Sequence, residues 1–320
     1  MKGKRLNFQK VLKLTKTYMH RRGQALMKYL YPFKSKRGRP RKYPDETILT
    51  LLFLQVAWKL SFRDLEHIAV ATFGRENVPD FSTYYYRLKQ LPPALLIDFL
   101  NFISSRLLRK NFTQVRFLVI DGTGFKYDEI YPLKMLRGKE IKEVKGHVKV
   151  VIVSVHLRSG KRFVLTALPG RSYASEVKLG SKILSWLGDR GFIRRVLRGK
   201  ALLGDKAYDS HEFIELVLSV GLKPYVKVRE SFRRGVRSEI RLMCKRLLES
   251  GDIYRFRGLV ESIFGEIKQE VGSYERTRSF HIAQLFVLAK FILFNLGLLF
   301  LIWFFFQTLS PLKRVVSPYE

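Results

Sequence analysis

The feature that most constrains the fold is a series of short apolar runs between residues 115 and 230, separated by turn signals and helical patterns. The first run, VRFLVIDGTGF, ends in Asp-Gly; the next two, in HVKVVIVSVHLRSGKRFVLTALPG, are joined by Arg-Ser-Gly, a hairpin signal. Two further runs, ALLGD and LKPYV, each follow a helical pattern. The order β-β-β-α-β-α-β-α-α is typical of an α/β fold with three meandering strands and two crossovers. We therefore predict a mixed five-stranded sheet with flanking helices.

A helical region precedes the predicted sheet. The run DETILTLLFLQVAWKL, residues 45–60, is apolar on nearly all sides, which indicates a buried helix. SFRDLEHIAVATFG follows, with Ser61 and Asp64 spaced as in a capping box and Gly74 at its end. We therefore predict two successive helices here.

A third, short helix carries aromatic and basic side chains. Pro79 precedes it, Ser82 or Thr83 is expected to cap it, and it bears Arg87 and Lys89. Helix, turn and short polar helix is the order of a helix-turn-helix reader, whose second helix enters the major groove of DNA. Three helices that only pack on one another are the alternative.

The 320-residue chain is strongly basic, with 60 Lys and Arg against 27 Asp and Glu and a formal net charge of +33. This balance points to a polyanionic partner, nucleic acid first, with a membrane surface or a ribosomal-type structural role as alternatives. The apolar fraction of 47% is enough for a core and excludes a disordered basic tail. A single cysteine, Cys244, excludes an internal disulfide and a multi-cysteine zinc site. We expect an intracellular protein.

The basic charge is concentrated in residues 1–43, which hold 15 Lys and Arg and no Asp or Glu. Within them, SKRGRPRKY contains the Arg-Gly-Arg-Pro core of a minor-groove hook, in which Arg37 and Arg39 enter the groove and Arg41 adds a further contact. A linker that contacts phosphates without groove specificity is the alternative. We therefore predict a DNA-contacting arm.

Three carboxylates form the candidate catalytic set. Asp121 ends the run FLVID and Asp205 follows ALLG, so at the ends of adjacent strands their side chains can converge, although each alone also suits a turn. Glu261 lies in a helical pattern between Arg257 and Lys268. Three hard oxygen ligands of this kind can hold two Mg²⁺ ions, which activate a hydroxyl and stabilise the leaving oxygen in a displacement at phosphorus.

The segment YRFRGLVESIFGEIK, residues 254–268, sets one carboxylate among cations. If a single α-helix runs through it at about 100° per residue, Tyr254, Arg257, Glu261 and Lys268 share one narrow stripe beside a separate apolar stripe. A surface helix with an ordinary Arg257–Glu261 ion pair is the alternative.

These residues resemble a known family. The three carboxylates resemble the DDE triad of transposases with a ribonuclease-H-like core. The spacing Tyr254-x₂-Arg257-x₃-Glu261-x₆-Lys268 is similar to the Y-R-E-K signature of one group of prokaryotic insertion-sequence transposases. GDKAYDS is similar to the segment around that group's second Asp, with Ala207 where Gly is more usual. The resemblance covers most of the chain, from the helix-turn-helix region to the last helix.

The resemblance implies a transposase that cleaves DNA at terminal inverted repeats and joins the 3′ ends to target DNA. It implies the three carboxylates as ligands of two Mg²⁺ ions, with Mn²⁺ as the alternative metal. It also implies that Tyr254, Arg257 and Lys268 contact DNA, and that a homodimer holds double-stranded DNA. We expect no membrane and no small-molecule cofactor, and a nucleoid-associated protein of the prokaryotic cytoplasm.

The implied organisation has four parts: a basic arm (1–43), a helical helix-turn-helix-like DNA-binding domain (44–111), a ribonuclease-H-like catalytic domain (112–310) and a tail (311–320). A catalytically inactive DNA-binding relative and a structure-specific nuclease with the same metal site are the alternatives. Asp128 and Asp209 are weaker carboxylate candidates, because each lies in a turn or cap context.

Residues 291–306 are nearly continuously apolar. The run is shorter than the ~20 residues that span a membrane, and extending it back to Leu285 includes Lys290. We predict a core helix, with membrane insertion as the alternative, and a dimer contact by the aromatic residues 303–306.

Overall fold

The sheet lies at the centre of the computed structural model, which describes residues 8–31, 41–134, 141–230 and 238–299. Its strands are β1 (Val115–Lys134), β2 (Ile141–Leu157), β3 (Arg162–Gly170), β4 (Ala201–Gly204), β5 (Lys223–Val226) and β6 (Tyr274–Glu275). The order is β3-β2-β1-β4-β5, with β6 also paired to β1. The first three strands are antiparallel, and the β1–β4, β4–β5 and β1–β6 pairs are parallel. The predicted mixed α/β sheet with flanking helices is confirmed, and among the described strands the two-residue β6 was not predicted.

The hairpin between β2 and β3 forms where the sequence predicts it. The Leu157 N–H donates to the Lys161 carbonyl at 2.8 Å, and the Gly160 N–H donates to the Leu157 carbonyl at 3.0 Å. Gly160 has φ of +78°, in the left-handed region that glycine adopts without strain. The turn therefore sets the register of the two strands.

Among the described residues, six α-helices precede the sheet: α1 (Phe8–Tyr18), α2 (Gln24–Leu30), α3 (Asp45–Trp58), α4 (Phe62–Phe73), α5 (Phe81–Gln90) and α6 (Pro93–Asn111). Part of the predicted arm is a docked helix. Val11, Leu14 and Tyr18, at helical spacing in α1, are buried, and the Tyr18 hydroxyl donates to the Leu95 carbonyl at 3.0 Å. The prediction of an arm relied on the basic composition and did not consider these apolar residues at helical spacing.

The helix, turn and short helix predicted after residue 60 are α4 and α5. Ser61 caps α4 as predicted, its hydroxyl accepting the Asp64 N–H at 3.1 Å. The cap of α5 is Asp80, whose carboxylate accepts the N–H groups of Ser82 and Thr83 at 3.0 and 2.9 Å. The predicted caps Ser82 and Thr83 are therefore wrong, because they are the donors that the cap satisfies.

In the part of the chain that the structure describes, six α-helices follow β3: α7 (Glu176–Gly188), α8 (Gly191–Leu197), α9 (His211–Ser219), α10 (Glu239–Glu249), α11 (Leu259–Val271) and α12 (Phe280–Leu299). Helix α12 is long and apolar enough to cross a membrane, and 72% of its most apolar 18-residue window is buried. It packs against α3, α6 and β3, which agrees with the prediction of a core helix. Residues 300–306 lie outside the described residues.

The one polar residue within the apolar run of α12, Asn295, covers the edge of the sheet at β3. Its Oδ1 accepts the Val164 N–H at 2.9 Å, and its Nδ2 donates to the Val164 carbonyl at 2.7 Å and to the Ser104 hydroxyl at 3.1 Å. An edge strand otherwise presents unpaired backbone groups, which are unfavourable when buried. Asn295 therefore joins α12 and α6 to the sheet.

We predict that Asn295→Leu lowers the free energy of unfolding by about 1–3 kcal/mol, because the buried Val164 N–H loses its partner, while the Val164 carbonyl keeps the Ser104 hydroxyl. Urea denaturation measures the change. Asn101→Leu is the matched control, since Asn101 is also buried but its side-chain oxygen has no partner in the described structure. Equal losses in the two variants would contradict the role of Asn295 at the sheet edge.

Candidate functional site

Two carboxylates lie where the parallel pairing of β1 with β4 ends. Val119 of β1 lies opposite Leu203 of β4. Asp121 and Asp205 are each two residues further on, so both aspartates reach the same level of the sheet. Asp205 directly follows β4, but the prediction that Asp121 ends a strand is wrong, because β1 continues past it and stays paired with β2. Ligands of open α/β sheets bind beyond the carboxyl ends of strands such as β4.

One guanidinium, that of Arg257, contacts the three candidate catalytic carboxylates. Its Nη2 lies 3.1 Å from Asp121 Oδ2 and 3.9 Å from Asp205 Oδ2. Its Nη1 donates to Glu261 Oε1 at 2.9 Å. The side chain of Asp121 is 12% exposed and that of Glu261 is 65% exposed, so the cluster opens to solvent on the Glu261 side.

The backbone around Arg257 differs from the prediction of one continuous α-helix. Asp252–Gly258 is a 3₁₀ helix, and α11 begins only at Leu259. Tyr254 and Arg257 therefore precede the α-helix that carries Glu261, although Arg257 still reaches Glu261 four residues later. The polar and apolar pattern of the sequence does not distinguish a 3₁₀ segment from the first turns of an α-helix.

The other two residues of the Y-R-E-K spacing, Tyr254 and Lys268, contact residues next to the two aspartates. The Tyr254 hydroxyl donates to the carbonyl of Gly204, the residue before Asp205, at 3.2 Å. Lys268 Nζ donates to the hydroxyl of Thr123, in β1 just past Asp121, at 2.7 Å. The structure thus brings all of these residues together, and their contact with DNA stays a prediction.

The site holds more negative charge than its own cation neutralises. Burial raises the pKa of Asp121 to about 6, against the opposing effects of the Arg257 guanidinium and the Gly122 N–H. The charges of Asp205 and Glu176 raise it further. Additional positive charge would therefore be stabilised beside Asp121.

The donor chemistry suits a divalent cation. Within the described residues, no group of three or more His, Cys, Asp or Glu side chains is arranged to hold a metal ion as it stands, and the Arg257 guanidinium lies among the three carboxylates. Carboxylate oxygens are the ligands that Mg²⁺ and Mn²⁺ prefer. Asp121, with its incompletely neutralised charge, and its two companions fit such an ion.

Sequence reasoning missed Glu176, the first residue of α7, whose charge acts on Asp121. The available signal was local only: Ser175 followed by an acid indicates a helix start. Nothing in the sequence placed that helix start beside β1.

The predicted DNA-contacting residues of the helical region occupy different environments. Arg87 is buried, and its guanidinium donates to Asp45 Oδ1 at 2.5 Å and to the Tyr43 carbonyl at 2.7 Å. Its prediction as a DNA contact is wrong in this structure, because the acidic start of α3 holds it inside the domain. Arg41 and Lys89 are exposed.

The positions of Arg41 and Lys89 are related. Arg41 donates to Gln90 Oε1 at 2.9 Å, so it lies at the end of α5 that carries Lys89, whose Nζ is 4.6 Å from the ring centre of Tyr85. Arg37 and Arg39 lie outside the described residues.

The rival carboxylates have structural partners. Asp209 is buried and accepts from Arg241 Nε and Nη2 at 2.8 and 2.6 Å and from the Arg229 N–H at 2.7 Å. Asp128 is exposed and accepts from the Tyr274 hydroxyl. In the described structure, neither of these carboxylates forms an ion pair with Arg257, the cation that contacts Asp121, Asp205 and Glu261.

Comparison with known protein families agrees with the arrangement of carboxylates around Arg257. Residues 114–296 match the family model described as the transposase DDE domain, more than half of the chain. The chain is also 35% identical, over 268 residues, to an uncharacterised protein of Aquifex aeolicus (strain VF5), covering 83% of this chain and 80% of that protein. The chain belongs to the transposase DDE-domain family.

Among solved structures, the chain is similar to a piggyBac transposase in a synaptic complex with hairpin DNA, with 14% identity and a TM-score of 0.41, over 87% of this chain and 70% of that one. It is similar to the transposase of a pre-cleavage Mos1 transpososome with 9% identity and a TM-score of 0.24, over 92% and 98% of the two chains. At these scores the fold assignment rests on the strand order and on the family match.

We predict that Asp121→Asn raises the free energy of unfolding of the metal-free protein by about 1–2 kcal/mol at pH 7.5, because it removes a charge that burial disfavours. The gain is fully present above pH of about 6 and declines progressively as the pH falls from about 6 towards 3.8, because over this interval Asp121 of the folded wild type binds a proton that the unfolded chain does not. Urea denaturation in EDTA at several pH values measures it.

Asp209→Asn is the matched control for this experiment, because it breaks the ion pair between the buried Asp209 carboxylate and the partly exposed Arg241 and is expected to destabilise by about 1–3 kcal/mol. A comparable loss in Asp121→Asn would show that Asp121 is held as a structural carboxylate.

Proposed function

We propose that this protein is a DNA transposase that cleaves phosphodiesters at terminal inverted repeats and joins the 3′ ends to target DNA. The observation that carries the proposal is the convergence of Asp121, Asp205 and Glu261 on one guanidinium, beside the point where the parallel pairing of β1 with β4 ends. Membership of the transposase DDE-domain family supports it.

Asp121, Asp205 and Glu261 are proposed to hold two Mg²⁺ ions, with Mn²⁺ as the alternative, which when bound would activate the attacking hydroxyl and stabilise the leaving oxygen. The two aspartates come from the sheet, where strand pairing limits their movement. Glu261 comes from the start of α11 and is the most exposed of the three. Two aspartates held by the sheet and the exposed Glu261 together suit a site that a DNA strand must enter.

Arg257, Lys268 and Tyr254 are proposed to contact the DNA at this site. Arg257 Nε is buried and has no partner in the described structure, so the guanidinium retains a donor for a phosphate oxygen. Burial lowers the pKa of Lys268, and an incoming phosphate would offset that loss by stabilising the charged ammonium. Each cation therefore has a physical reason to prefer the DNA-bound state.

Double-stranded DNA is the proposed partner, and the net charge of +33 supports a polyanion of this kind. Arg41 and Lys89, which lie at one end of α5, are proposed phosphate contacts, with Arg37 and Arg39 in the adjoining segment. We also propose that two protomers hold two DNA ends, since joining requires both ends at one target.

The test is a strand-transfer assay with a duplex that carries the repeats flanking the gene, in Mg²⁺. We expect joined products with the wild type and a loss of at least ~100-fold with Glu261→Gln, because a metal ligand is removed. Glu270→Gln is the matched control: it removes a carboxylate from α11, nine residues later and on the opposite face of the helix. Its products are expected to match the wild type. The assay is run at about pH 8.5, because burial raises the pKa of Glu270 to about 7 and the carboxylate must be charged for the comparison.

The assay separates the alternatives. Cleavage without joining would favour a structure-specific nuclease. Salt-sensitive DNA binding with neither reaction would favour a DNA-binding relative without catalysis. Equal activity of Glu261→Gln and the wild type would overturn the assignment of Glu261.

A further inference from the structure

Helix α7 packs so closely against β1 beside Asp121 that only a glycine fits at the contact, at Gly180. A Cβ at Gly180 would lie 3.0 Å from both Ile120 Cδ1 and Tyr208 Cε1. Ile120 immediately precedes Asp121, and Gly180 is about one turn after Glu176 on the same helix. The glycine therefore lets α7 dock with its first residue beside the site.

The carboxylate of Glu176 lies against the backbone of Gly122. A Cβ at position 122 would lie 2.9 Å from Glu176 Cδ and 3.2 Å from each of its carboxylate oxygens. Any other residue after Asp121 would displace Glu176. The Asp-Gly pair that looks like a turn signal in the sequence thus makes room for a fourth carboxylate.

Glu176 is only loosely neutralised. Its partner is Lys149, whose Nζ is 3.6 Å from Oε1, beyond the length of a good charged hydrogen bond. The Glu176 side chain is 33% exposed, so it is accessible to an ion from solvent. Arg257 contacts the other three carboxylates of the site.

A buried donor faces this group of carboxylates. Tyr208 is fully buried, and its hydroxyl has no hydrogen-bond partner in the described structure. Its ring lies between α7 and the end of β4, because Cβ atoms at Gly180 and Gly204 would meet it at 3.0 and 3.5 Å. Burial raises the pKa of Tyr208, and the charges of Glu176, Asp121 and Asp205 raise it further. An unpaired buried hydroxyl is unfavourable, so a site that it completes is more stable when filled.

We propose that Glu176 is a further ligand of the divalent-cation site, binding one ion together with Asp121, and that the Tyr208 hydroxyl is a hydrogen-bond donor at that site. The proposal rests on the proposed function, because it adds a residue to the same metal site. The opposing interpretation is that Glu176 is an ordinary acid at a helix N-terminus, held by Lys149.

The test is Mn²⁺ binding to the full chain, followed by electron paramagnetic resonance, with thermal melts to verify folding. We expect Glu176→Gln to weaken the affinity of one ion at least ~10-fold. Glu212→Gln is the matched control, because Glu212 is an exposed acid in the first turn of α9 behind the Ser210 cap, and it is expected to bind as the wild type does.

Lys149→Met separates the two interpretations. If Glu176 is a ligand, removal of its competing cation leaves Mn²⁺ affinity equal or tighter, whereas Glu176→Gln weakens it. If Glu176 only pairs with Lys149, the two variants lower the melting temperature alike and neither changes Mn²⁺ affinity.

Asp121→Asn distinguishes failure of this inference from failure of the proposed function. Weakened binding in Asp121→Asn with unchanged binding in Glu176→Gln would overturn the role of Glu176 and leave the metal-dependent function standing. No Mn²⁺ binding by the wild type would overturn both.

Discussion

Parallel pairing of β1 with β4 is the constraint on which the candidate site depends. It sets Val119 opposite Leu203 and so brings Asp121 and Asp205 to the same level, although they are far apart in the chain. A shift of one residue in this register would turn one of the aspartates to the other face of the sheet. The side chains on both faces of these strands are buried, so such a shift would disrupt their packing on both sides of the sheet.

The site concentrates negative charge in a protein whose net charge is +33. Arg257 is the cation that allows Asp121, Asp205 and Glu261 to lie together, and burial still leaves the pKa of Asp121 raised. A carboxylate kept in an environment that disfavours its charge is unfavourable for stability alone. Such positions mark functional sites more often than structural ones.

Helix α12 supports the site from behind the sheet. Its Lys290 is buried, forms an ion pair with Glu275 of β6, and donates to the carbonyl of Gly272, the residue that ends α11, at 2.7 Å. At its other end, Asn295 bonds the edge of β3. The helix therefore holds α11, and with it Glu261 and Lys268, in a fixed position relative to the strands. Lys290 and Asn295 both have interior partners, which is why an apolar helix of this length serves as a core element here.

The sequence by itself determined the strand and helix order, the sheet class, the run-ending aspartates and the Y-R-E-K spacing, because these depend on local periodicity and on short fixed spacings. Only the tertiary structure decided which side chains meet. It buried Arg87 against Asp45, replaced the first turns of the predicted helix by a 3₁₀ segment, and brought Glu176 onto Gly122. Each of these outcomes depends on contacts between segments distant in the chain, and no local pattern encodes the distance between two such segments.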